Sequence, residues 1–210
     1  MKKKIAFLLA AVMLFGATVG ATIAWLQAET DQVRNTFTYG KIAIELDEAE
    51  VDEYGVPNAS SDSRVDSNEY KLVPGHTYTK DPTVYVKNGS EKCWVFAKVA
   101  VSEEVAKVIE SLVINDEWKA LGAEYPGVYY YEAPVDRSTV TGDDYFEIDP
   151  AVFDSFTVKD GADVSKVTAE DAITIDAYAV QYDNFETSAV DAWTATFGAP
   201  TSDPVSSEAP

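Results

Sequence analysis

The sequence predicts a mainly β protein: an antiparallel β-sandwich of jelly-roll type with one or two short helices, preceded by a signal-peptide helix. Three observations carry this. Tyr, Phe, Trp, Val, Ile and Thr, the residues that favour strands, recur in short alternating runs. Those runs are separated by turn pairs such as Pro74-Gly75, Asn88-Gly89 and Pro126-Gly127. The chain also opens on Lys2, Lys3 and Lys4 followed by an apolar run from Ile5 to Leu26, the layout of an export signal.

The 210 residues suit one domain of ordinary size that buries a core without metal or disulfide staples. Charge is one-sided, with 36 acidic against 16 basic residues. Such a surface disfavours nucleic acid, which needs clustered Lys and Arg, and disfavours anionic lipid headgroups. It suits a protein that must stay soluble in transit. The single cysteine, Cys93, forbids an internal disulfide, and its apolar setting reads as a buried, inert thiol. The single histidine, His76, follows a Pro-Gly turn and reads as an exposed loop residue. No His-Glu-x-x-His helix and no triad can be assembled, so no catalytic, cofactor-binding or metal-ligating set is expected and the chain does not read as an enzyme.

In the leader, Thr22 and Ala24 supply small residues at the −3 and −1 positions, so residues 1–24 read as a signal peptide cleaved between Ala24 and Trp25. The apolar run is also long enough to span a bilayer, so an uncleaved leader would be the chain's one membrane contact. Residues 25–36 form a polar linker. Strand alternation begins at Phe37 and Tyr39 and shifts phase at Gly40 to Ile42, Ile44 and Leu46, which suggests a bulge. The sandwich domain is expected over 37–198 and a disordered tail over 199–210.

Asp47 to Glu69 mixes acids with Gly, Pro, Asn and Ser and reads as a surface loop. Asp47, Glu48, Asp52 and Glu53 are a conceivable calcium set, but EF-hand spacing is absent, and a solvated charge run is favoured. Strands are expected at 70–73 and 77–86, flanking the Pro74-Gly75 turn. From Cys93 to Val101 both faces are apolar, which predicts a strand buried on both sides. Ser102 begins a short helix with Val105, Val108, Ile109 and Leu112 at helical spacing and Glu103 and Glu104 in its first turn. Strands follow at 118–125, 128–133, 145–158 and 172–182, and a second helix from Ser188 to Phe197 ends at Gly198. About eight antiparallel strands of this kind imply the jelly roll.

Two blocks carry a family resemblance. One is Gly20-Ala21-Thr22-Ile23-Ala24-Trp25, a polar spacer, and Thr36-Phe37-Thr38-Tyr39-Gly40-Lys41-Ile42-Ala43-Ile44-Glu45-Leu46. The other is Leu72-x-Pro74-Gly75-x-x-x-Thr79-Lys80-Asp81, a short strand, Asn88-Gly89 and a long apolar strand. In this order they resemble the TasA/camelysin family of secreted Gram-positive biofilm matrix proteins. That resemblance implies cleavage by the dedicated signal peptidase SipW and an extracellular matrix or cell-surface location. It also implies self-assembly into filaments by donation of an N-terminal strand, with a minor filament or anchoring protein as a further partner. The donor would be Trp25 to Thr36, with Trp25, Leu26 and Val33 as its apolar interface residues. The alternatives are a camelysin-like surface metallopeptidase, or an adhesin or carbohydrate-binding module that stacks sugars on Trp118, Tyr129, Tyr130 and Tyr131.

Overall fold

A computed structural model describes residues 41–57 and 63–199. The expected signal peptide and linker, the phase shift at Gly40, and all of the expected tail but Ala199 lie outside them. Within them the protein is mainly β, with antiparallel sheets and two α-helices. Ten strands run β1 Ile44–Ala49, β2 Arg64–Val65, β3 Thr77–Thr79, β4 Thr83–Lys87, β5 Cys93–Val101, β6 Trp118–Ala120, β7 Val128–Tyr131, β8 Tyr145–Glu147, β9 Ser155–Thr157 and β10 Ile173–Gln181. The helices are α1, Glu103–Val108, and α2, Ala189–Phe197, and a 3₁₀ turn covers Val164–Lys166.

One sheet has the order β2-β1-β4-β8, a second β10-β5-β7-β6, and β3 pairs only with β9. The principal core draws on both larger sheets: Val84 and Val86 from β4 meet Cys93, Val95 and Ala97 from β5, with Trp118, Ile148, Val152 and Phe153. Because side chains alternate along a strand, Trp94 and Phe96 point to the opposite face of β5. There α2 covers them with Ala189, Ala192 and Trp193. Trp193 lies 5.1 Å from Phe96 and 5.3 Å from Tyr178 by ring centroids. The doubly apolar reading of 93–101 is thus accounted for by a sheet on one side and a helix on the other. A third cluster joins Tyr78 of β3 and Phe156 of β9, stacked at 4.9 Å, to Val105, Val108 and Ile109 around α1.

Several elements are shorter than their patterns suggest. Residues 70–73 form no strand, because Tyr70 and Leu72 pack against the third cluster while the Lys71 carbonyl accepts from the Tyr78 hydroxyl at 2.6 Å. The run 77–86 divides at Lys80-Asp81-Pro82, where the chain passes from the small sheet to a large one. Proline has no N–H for a ladder. The run 145–158 divides likewise around Pro150, and its halves join different sheets. Both helices begin at the expected serines. Ser188 caps α2 by accepting from Asp191 N at 3.0 Å, whereas the Ser102 hydroxyl makes no capping bond to α1.

Candidate functional site

The outer flank of β10 is a long open sheet edge among the described residues. β10 is an edge strand of nine residues, and it pairs with β5 over its full length. Ser102 N donates to Ala172 O at 3.0 Å and Tyr182 N to Lys92 O at 2.8 Å, which fixes the phase of that ladder. In an antiparallel pair, alternate residues turn their N–H and C=O groups to opposite sides. The even-numbered residues therefore bond to β5, and Ile173, Ile175, Ala177 and Ala179 direct their backbone groups outward. Among the described residues these groups meet no strand.

The same residues aim their side chains at the principal core, yet each is only half-buried. On the facing sheet Ile42, Ile44 and Leu46 are half-buried too, and β1 approaches β10 along this flank. One strand inward on each sheet, Val84 and Val86 of β4 and Val95 and Ala97 of β5 are fully buried. An apolar margin beside unpaired backbone is what an added strand would cover.

Beyond Leu46 the margin is closed by charge. Two-residue β2 pairs with β1 only at Glu48 and Ala49. Arg64 there reaches Asp47 at 2.5 Å, Asp81 at 3.2 Å and the Thr83 hydroxyl at 2.8 Å. Hydrogen bonding to Asp47, with the Asp81 and Asp47 charges, raises the Arg64 pKa against the opposing effect of burial. Glu48 and Lys80 are buried and paired at 2.5 Å. Asp47 and Glu48 are thus not part of a solvated run; they belong to β1, and cations already occupy them. Asp52 instead holds a turn, accepting from Tyr54 N and Val56 N at 2.9 Å. Among the described residues no group of three or more His, Cys, Asp or Glu is arranged to hold a metal ion.

Of the residues singled out in the sequence, Ala24, Trp25, Leu26 and Val33 lie outside the described residues. Trp118 is 3% exposed and donates from Nε1 to Pro150 O at 3.1 Å, and Tyr129 and Tyr131 pack on the principal core. Trp118 therefore has no open face on which a sugar could stack. His76 is half-buried rather than freely exposed: its Nε2 lies 2.8 Å from Tyr54 O and its ring stands edge-on to Tyr78. Burial pushes the Cys93 thiol up to about 12, with the Asp136 charge adding to it, which suits an inert core residue. The open flank itself was hidden in the sequence, because alternation shows which face of a strand is apolar and not whether each edge has a partner. Among the described residues no helix is long and apolar enough to cross a membrane. No family model, curated protein or solved structure matches the chain.

Proposed function

We propose that the chain is a secreted structural subunit of extracellular biofilm matrix filaments, a TasA/camelysin-type protein of a Gram-positive bacterium. In this reading SipW removes residues 1–24, and the domain is a jelly-roll sandwich whose layers are the two four-stranded sheets. Residues 25–36 of one copy add as a strand to the β10 edge of the next, with Trp25, Leu26 and Val33 covering the half-buried margin. The observation that carries the reading is the outward row of backbone groups at Ile173, Ile175, Ala177 and Ala179, which meet no strand among the described residues, beside that margin.

Strand addition works through main-chain hydrogen bonds, so it tolerates a polar donor such as one containing Glu29, Asp31 and Arg34. A head-to-tail contact of this kind does not close on itself and propagates as a fibre. The excess of acidic residues keeps free subunits apart until the donor engages. Electron microscopy of the purified exported protein tests this. The full mature chain forms filaments, and the chain lacking residues 25–36 stays folded and monomeric. Filaments of equal length from the shortened chain would remove the donor role.

A further inference from the structure

Lys80 and Glu48 form the most deeply buried ion pair described, at 8% and 4% exposure. Their partner is a carboxamide. Lys80 Nζ donates to Glu48 Oε2 at 2.5 Å, while Asn68 Nδ2 donates to Glu48 Oε1 at 3.0 Å and to Ala49 O at 2.9 Å. Asn68 Oδ1 accepts from Val51 N at 3.0 Å. The Tyr70 ring stands 5.9 Å from Nζ and shields it. A primary amine and an amide are thus held on the two oxygens of one buried carboxylate. A buried pair of this kind adds little to stability by itself, because desolvation offsets the attraction between the charges. Reactive groups held on one shared carboxylate, however, gain effective concentration towards each other.

We propose that Lys80 and Asn68 are joined by an amide bond between their side chains, formed by the protein itself with Glu48 as proton carrier. Glu48 Oε2 takes a proton from Nζ and frees its lone pair. Nζ then attacks Asn68 Cγ, a C–N bond forms, and the carbonyl π pair moves onto Oδ1. The Val51 N–H already points at that oxygen and stabilises the charge as it develops. Glu48 passes its proton to Nδ2 and accepts a second from Nζ. The Cγ–Nδ2 bond breaks, and ammonia departs with that second proton as ammonium. The lysine's positive charge leaves with it, Glu48 returns to its carboxylate form, and no oxidant or cofactor is required. A cavity of about 540 Å³, lined by Asn68, Tyr70 and Lys80 among others, adjoins the triad and gives ammonia a way out. The product ties the segment after β2 to the bend between β3 and β4, across the charged end of the open flank.

Tryptic mapping of the full exported protein, kept folded at neutral pH before digestion, tests the bond. Trypsin cannot cut after an acylated lysine, so residues 65–71 should appear joined to residues 72–87 and lighter than their sum by one ammonia. Lys80→Arg, which keeps the cation without a competent nucleophile, should give only linear peptides, as should Glu48→Gln. Separate linear peptides 65–71 and 72–80 from the unaltered protein would overturn the proposal. So would a cross-link that forms fully in Glu48→Gln, since the carboxylate would then have no part in it.

Discussion

Gly127 turns the chain between β6 and β7 at φ +77°, and a Cβ there would run into the carbonyl oxygen of Val99. That oxygen belongs to β5, whose Val99 N donates to Gly127 O at 2.8 Å, so neither backbone can withdraw without losing the bond. Gly127→Ala should therefore cost about 1–3 kcal/mol for the left-handed conformation alone. Urea unfolding should show the loss as a lower midpoint at unchanged slope. This glycine was legible beforehand, because a Pro-Gly pair between two apolar runs names its turn. Glu48 was not. It sits in an acidic stretch whose composition indicates solvent, and only the return of Lys80 and Asn68 from later in the chain makes a buried carboxylate tolerable. Asp47 was misread for the same reason, its partner Arg64 lying beyond an intervening loop.

At the level of elements, β5 and β10 are legible almost to the residue, since the apolar run of the first and the alternation of the second are long and unbroken. The divided strands were not. Around Lys80-Asp81-Pro82 and Pro150 the apolar pattern continues while the backbone changes sheets, and a residue pattern carries no record of which sheet it joins. β10 also offers the sharpest substitution. The N–H of Ala177 points away from β5, so a proline at 177 removes an outward donor and leaves the β5 ladder intact, a placement edge strands tolerate. Ala177→Pro should remain folded by circular dichroism and fail to form filaments. Filaments as long as those of the unaltered protein would place the acceptor elsewhere.

For the molecule as a whole, the mainly β class, the two helices and the doubly covered central strand were legible from composition and period. The distribution of burial was not. Three clusters share the interior, and the principal one is sealed at β4 and β5 but only half-covered at β1 and β10. That gradient is a property of the assembled sheets, which no single segment displays. In the proposed filament, a strand arriving from another copy would cover that margin. The most direct measurement is hydrogen exchange of the β10 amides in protein lacking residues 25–36, with and without a synthetic peptide of those residues. Ile175, Ala177 and Ala179 should exchange readily in the shortened protein and become protected when the peptide is added, while the even-numbered amides stay protected throughout. Unchanged exchange at the odd-numbered positions with saturating peptide would contradict the account.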